Sequence, residues 1–178
     1  DLDKLIKDLN TKGIISVDTE TSSLNPQEAE LIGISVSYAP NKSFYIPVGH
    51  KKNKCLSKDL VIKKMKPILE DPSIKKVGQN IKYDYIIFKK SGIELTSIED
   101  TMLLSYTLDA GNNRHNMDTL SELHLGHKTI SYKDLVGTGK KQLKFSEVDL
   151  DKATEYAAED ADITLRLYQI LSERVEKE

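Results

Sequence analysis

The chain has 178 residues, a formal net charge of −2, 38% hydrophobic and 30% charged residues, the balance of one ordinary soluble globular domain with one core. No apolar run reaches the length of a membrane span, and the charged, amphipathic start from Asp1 to Asn10 lacks the zones of a signal peptide. With one cysteine, Cys55, no internal disulfide can form; this favours a reducing compartment, and cytoplasmic residence is expected. The slightly acidic balance argues against a protein that coats long stretches of nucleic acid. The scattered lysine doublets, such as Lys75-Lys76 and Lys89-Lys90, read as solvated surface, and only Arg114, Arg166 and Arg174 are arginines.

In chain order, Leu2–Leu9 reads as a short helix closed by Gly13. Ile14–Asp18 is a β-type run, Leu31–Tyr38 alternates as a strand, and Ser43–Val48 follows a Pro40-Asn41 turn. Three strands this close predict an antiparallel meander. Ser57 caps a helix that runs to Leu69, and Lys75–Gly78 is a short buried strand. Ile81–Lys90 is a helix stopped near Gly92, followed by helices over Asp100–Leu108 and Met117–Leu125. Gly137–Lys141 is a loop, and Asp151–Val175 a long closing helix. The class is α/β, a mixed central sheet flanked by helices.

Three segments carry candidate chemistry. In Asp18-Thr19-Glu20 the two acids lie two apart on a strand and share a face. Gly78-Gln79-Asn80-Ile81-Lys82-Tyr83-Asp84 is a glycine turn into a helix, whose free N–H groups attract phosphate, with Asn80 and Lys82 in reach of the same group. In Tyr156-Ala157-Ala158-Glu159-Asp160-Ala161-Asp162, Tyr156 and Asp160 share a helix face and alanines leave room beside them, while Glu159 and Asp162 point elsewhere into solvent. Acids in three segments suit hard divalent cations such as Mg²⁺ or Mn²⁺. The histidines have no cysteine pair to complete a zinc site, and His50 and His115 read as surface or packing residues.

Taken together, Asp-Thr-Glu-Thr, Asn-x-Lys-Tyr-Asp and Tyr-Ala-Ala-Glu-Asp-Ala-Asp resemble the three exonuclease motifs of the DEDD superfamily. The nearest resemblance, from roughly Ile14 to Tyr168, is to the proofreading 3′→5′ exonuclease domain of bacterial DNA polymerase I, in the branch that places a tyrosine (Tyr156) four residues before the last aspartate. It includes the stretches Arg114–Asp118 and His127–Ile130.

The resemblance implies a ribonuclease H-like fold and two divalent cations. Asp18, Glu20 and Asp160 would hold the first, Asp18 and Asp84 the second, with Tyr156 and Glu20 orienting the attacking water. It also implies a single-stranded DNA 3′ end as partner. Thr21 and Leu24 would lie at that end, Leu24 wedging between the last two bases. Tyr83 and Tyr132 would line the cleft, with Gln79, Asn80, Lys82 and Arg114 near phosphate or sugar. The chain would be a single, monomeric exonuclease domain excised from a longer polypeptide, with a polymerase following it. Two other readings are a ribonuclease D-like RNA exonuclease and a catalytically silent scaffold, and the four acids argue against the second.

Overall fold

The computed structural model describes residues 1–177. The strands are β1 (Ile14–Thr21), β2 (Leu31–Ala39), β3 (Lys42–Pro47), β4 (Lys75–Gly78) and β5 (Ile98–Asp100). They form one sheet in the order β3-β2-β1-β4-β5. The first three make the expected antiparallel meander, whereas β4 and β5 run parallel to β1. β5 has no counterpart in the sequence reading. Its three residues are too few to show a period; Asp100 ends this strand and, as expected, opens the next helix, its Oδ1 accepting from Met102 N–H at 2.9 Å.

The two faces of β1 have opposite chemistry, because alternate residues point to opposite sides. Ile15 and Val17 face a large apolar core with Ile34 and Val36 of β2. The helices α1 (Leu2–Leu9), α2 (Lys58–Leu69) and α3 (Ile81–Lys90) cover that face through Leu5, Leu9, Val61, Met65, Ile68, Ile87 and Phe88. Ser57 caps α2 as its sequence predicts, its Oγ accepting from Leu60 N–H.

The other face of β1 and β2 is small. Ser16 pairs with Ser37, Asp18 with Ser35 and Glu20 with Gly33. Gly33 has a steric reason: a Cβ there would lie 2.2 Å from the Tyr45 hydroxyl, so the Tyr45 ring lies across that position. Against this face packs the long helix, numbered α7 (Leu150–Lys177), through Ala153, Ala157 and Ala161, all fully buried. Ser16 Oγ donates to the Ala161 carbonyl at 2.6 Å. Small residues on both partners let backbone approach backbone.

Helices α4 (Thr101–Asp109) and α5 (Met117–Leu125) pack on α7 around Leu120, Ile163, Leu167 and Leu171. The short α6 (Tyr132–Val136) was not foreseen, and 139–141 forms a 3₁₀ turn where a loop was expected.

Two expectations about charged residues need correction. Glu159 and Asp162 are not solvated. Glu159 accepts from Ile130 N–H at 2.7 Å and bonds His127 Nε2 at 2.8 Å, which ties the 127–130 stretch to α7. Asp162 accepts from Arg166 Nε at 2.8 Å and from Asn41 N–H at 2.7 Å, latching the β2–β3 turn to the same helix. The Lys75-Lys76 doublet is not a surface feature throughout, because Lys76 is fully buried. Its ammonium donates to the Asp71 carbonyl at 2.6 Å, and burial pulls it down to about 8.

The sheet–α7 contact gives a test. Ala161→Leu inserts bulk where the helix meets Ser16, an overpacking expected to cost about 1–3 kcal/mol. A thermal melt should show the loss, while Ala161→Ser should melt close to the parent; wild-type stability for the leucine variant would contradict the packing described.

Candidate active site

Three acids come together at the end of β1, where the neighbour on one side is antiparallel and on the other parallel. Asp18 and Glu20 share the α7 face of the strand, as their spacing predicts. Asp160 reaches them from α7, and carboxylate oxygens of Asp18, Glu20 and Asp160 lie within 4.8 Å of one another. The fourth acid, Asp84, belongs to the first turn of α3. Thr19, between the two strand acids, fixes it: Asp84 Oδ1 accepts from Thr19 N–H at 2.9 Å and from Thr19 Oγ1 at 2.5 Å. The threonine thus explains why Asp84 joins acids borne on another element. The sequence reading gave it no role, although its place between two converging acids puts its side chain on the α3 side.

Such crowding raises the cost of ionisation. Burial pushes Asp18 from 3.8 up to about 7. Burial pushes Glu20 well above the carboxylate range, aided by the charges of Asp18, Asp160 and Asp84. Asp84 and Asp160 rise for the same reasons, burial first and Asp18 second. Tyr156 hydrogen-bonds Asp160, and burial together with the acids lifts its phenol well above the usual value. Its ring stands 6.0 Å from Tyr132 and 6.2 Å from Phe145.

The acids open into a cleft of about 650 Å³. Thr21, Leu24, Gln79, Asn80, Tyr83, Tyr132 and Tyr156 line it with the four carboxylates, so the structure gathers most of the residues named from sequence. Leu24 is 96% exposed at its mouth, and Tyr132 is 44% exposed. A leucine so open contributes nothing to the core.

Other residues are placed differently. Lys82 and Arg114 are exposed but outside the cleft lining. The side chain of Gln79 is engaged within the protein, donating to the His115 carbonyl at 2.7 Å and accepting from Thr101 Oγ1. The start of α3 is not an open phosphate seat either. Asp100 accepts from Asn80 N–H at 2.9 Å and Ile81 N–H at 3.0 Å, so a protein carboxylate takes the donors that the sequence reading left free. His50 and His115 are packing residues, both buried, with His115 Nδ1 on Ser105 at 2.7 Å and His50 Nε2 on Tyr45 at 2.7 Å. Gln142 also lines the cleft and was missed, since it lies in a loop without periodicity.

An acidic, oxygen-only cluster at the end of the first strand of a mixed five-stranded sheet, with helices on both faces, defines a ribonuclease H-like nuclease. The structure superposes on the ribonuclease D of Trypanosoma brucei with a TM-score of 0.77 and 19% identity, covering 96% of this chain and 61% of that one. It also superposes on NrnC of Brucella melitensis with bound Mg²⁺, with a TM-score of 0.72 and 21% identity, covering 96% and 77%. The chain belongs to the 3′-5′ exonuclease family, whose model matches residues 1–176. DNA polymerase I of Rhizobium leguminosarum is 45% identical over 98% of this chain, which spans 19% of that polymerase. The chain is therefore a 3′-5′ exonuclease domain of the DNA polymerase I type.

The raised acids set a pH dependence. A carboxyl group whose folded pKa lies above its unfolded value contributes stability that is full below the unfolded pKa and is lost as pH rises through the folded one. For Asp18 that window runs from 3.8 to about 7. Acids held low, such as Asp109 beside Arg174, act in the opposite sense and below this window. In chelator, the melting temperature should fall as pH rises across the window, and Mn²⁺ should restore it at the upper end. Asp18→Asn should flatten the slope; an unchanged slope in that variant would remove Asp18 as its source.

Proposed function

We propose that this domain removes nucleoside 5′-monophosphates from single-stranded or frayed DNA 3′ ends with the help of two divalent cations. We read it as the proofreading part of a longer cytoplasmic polypeptide, with a polymerase C-terminal to it. The observation that carries the reading is the convergence of Asp18, Glu20 and Asp160 within 4.8 Å at the base of a cleft whose mouth exposes Leu24 and Tyr132. The relative's length, of which this chain matches about a fifth, supports the larger polypeptide.

The donor set fits the cations. It consists of carboxylate oxygens alone, the ligands that Mg²⁺ and Mn²⁺ prefer, and the raised acids need a positive charge to ionise together. Asp18, Glu20 and Asp160 would hold one ion, and Asp18 with Asp84 the second. Asp84 has one oxygen committed to Thr19, which suits a looser, water-mediated ligand. When bound, such cations polarise the phosphate and lower the pKa of attacking water.

The chain's own groups do the rest. Tyr156 is a phenol whose surroundings hold it protonated, so it acts as a hydrogen-bond donor that orients water and not as a base. Glu20, beside it, accepts from the same water. Tyr132 offers an exposed face for a terminal base, and such stacking is worth about 1–3 kcal/mol without regard to sequence. Unpairing costs a few kcal/mol and least at a mismatch, so selection for frayed ends comes from the DNA. The ribonuclease D-like reading draws on a fold shared at low identity, and the polymerase match at 45% weighs more.

Digestion of 5′-labelled single-stranded DNA should give a ladder shortened from the 3′ end, abolished by EDTA, and faster than on a matched RNA oligomer. Full activity in EDTA, or a preference for RNA, would overturn the proposal. Tyr156→Phe should lose roughly 10²–10⁴-fold in rate with little change in melting temperature. Asp18→Ala should be near inactive yet folded without metal, and should not add to the loss from Asp160→Ala, since residues acting as a unit are not additive.

A further inference from the structure

Leu24 sits on a nine-residue connection between β1 and β2 that contributes to the cleft through residues 22–24. An exposed loop of this kind is mobile unless its backbone groups find partners. Part of it ties itself together. Glu28 N–H and Ala29 N–H both donate to the Asn25 carbonyl, at 3.1 and 3.0 Å, which makes residues 25–29 a single helical turn. One turn leaves its last carbonyls without partners inside the loop.

Those carbonyls are met from another element. The Lys90 ammonium, at the end of α3, donates to three of them: Pro26 at 2.9 Å, Gln27 at 2.8 Å and Ala29 at 2.9 Å. An ammonium has three donors and no acceptor, so this side chain is saturated by the loop. A cation at the carbonyl end of a helical turn is also electrostatically favoured. The near end of the loop is fixed from the same helix, where Tyr83 Oη donates to the Ser23 carbonyl at 2.5 Å. Leu24 therefore stands between two anchors, both on α3, and the same helix carries Asp84.

We propose that Lys90 is a positioning residue for the DNA 3′ end: by capping the Pro26, Gln27 and Ala29 carbonyls it holds the loop that presents Leu24 to the terminal bases. Lys90 touches neither the acids nor the strand, and its effect passes through Leu24. The inference rests on the exonuclease reading above.

The geometry sets what each variant does. Lys90→Met keeps most of the aliphatic stem and loses the cap. Lys90→Arg keeps the charge and several donors. Losing the cap leaves the acids in place, so kcat at saturating DNA should hold while KM for single-stranded DNA rises by about tenfold, equivalent to about 1.4 kcal/mol of binding shared by ground and transition states. Lys90→Arg should restore most of the binding. Lys90→Met in combination with Leu24→Ala should bind no worse than Leu24→Ala alone, because the cap acts only through that side chain.

The experiment measures kcat and KM on a single-stranded oligomer for the wild type, both Lys90 variants, Leu24→Ala and the double variant. Anisotropy of a fluorescein-labelled oligomer in Ca²⁺ gives binding without turnover, and thermal melts report folding. A KM increase and matching loss of anisotropy binding in Lys90→Met, with an unchanged melt and arginine rescue, support the proposal. Wild-type KM in Lys90→Met, a fall in kcat alone, or losses that add to those of Leu24→Ala would overturn it. A wild-type protein that neither binds nor degrades the oligomer would instead overturn the exonuclease reading.

Discussion

The 2.6 Å hydrogen bond from Ser16 Oγ to the Ala161 carbonyl marks the contact on which the rest of the site depends. A helix approaches a sheet this closely only when both surfaces are small. Here Ser16, in a row of small residues with Ser35 and Ser37, meets Ala161 on α7, the helix whose Ala153 and Ala157 are buried as completely. Asp160 is next to Ala161, so the contact that seats the helix also sets how far its carboxylate reaches toward Asp18 and Glu20. Larger residues would separate the acids while leaving every one of them present. The site is a consequence of packing before it is a consequence of its acids.

The opposite face of β1 performs a second alignment. Ile15 and Val17 anchor the strand in the apolar core, and Thr19, next in the same row, turns that face toward α3. One β-strand thus gathers acids from both layers: Asp160 from α7 by backbone proximity and Asp84 from α3 by the double hydrogen bond to Thr19. The arrangement is costly without a cation, as the raised Asp18, Glu20, Asp84 and Asp160 show. The apolar core and the interlayer hydrogen bonds must hold the acids together, because the acids do not hold themselves.

Much of this was legible in the residues. Spacing of two on a strand placed Asp18 and Glu20 on one face, spacing of four on a helix placed Tyr156 with Asp160, and the three motifs in order located the cluster. The meander and the long final helix follow from alternation and helical period. In the parallel half, the buried strand over Lys75–Gly78 was legible too, but β5 was not. β5 is three residues long, and its pairing depends on a crossover that no local pattern encodes. The roles of Asp100, Glu159, Asp162 and Lys76 were misjudged or missed for a common reason. Asp100, Glu159 and Asp162 find partners far along the chain, at the N–H groups of Asn80, Ile130 and Asn41, and Lys76, whose partner Asp71 lies close in sequence, is buried only by the fold.

The distribution of cations bears on how a chain of net charge −2 can engage DNA at all. Several of its basic side chains are spent internally: Lys76 on a buried carbonyl, Lys90 on three loop carbonyls, Arg166 on Asp162 and Arg174 on Asp109. A grip built on many phosphate contacts would lose affinity steeply with salt. A grip built on exposed apolar and aromatic side chains at the mouth of one cleft depends less on salt and is indifferent to base identity. Such a cleft has to be rigid, since a mobile Leu24 would give up in ordering entropy what its contact provides. The internal use of charge and the exposed leucine are therefore parts of one arrangement: Lys76, Lys90, Arg166 and Arg174 fix the scaffold, and the scaffold leaves Leu24 and Tyr132 open at the cleft.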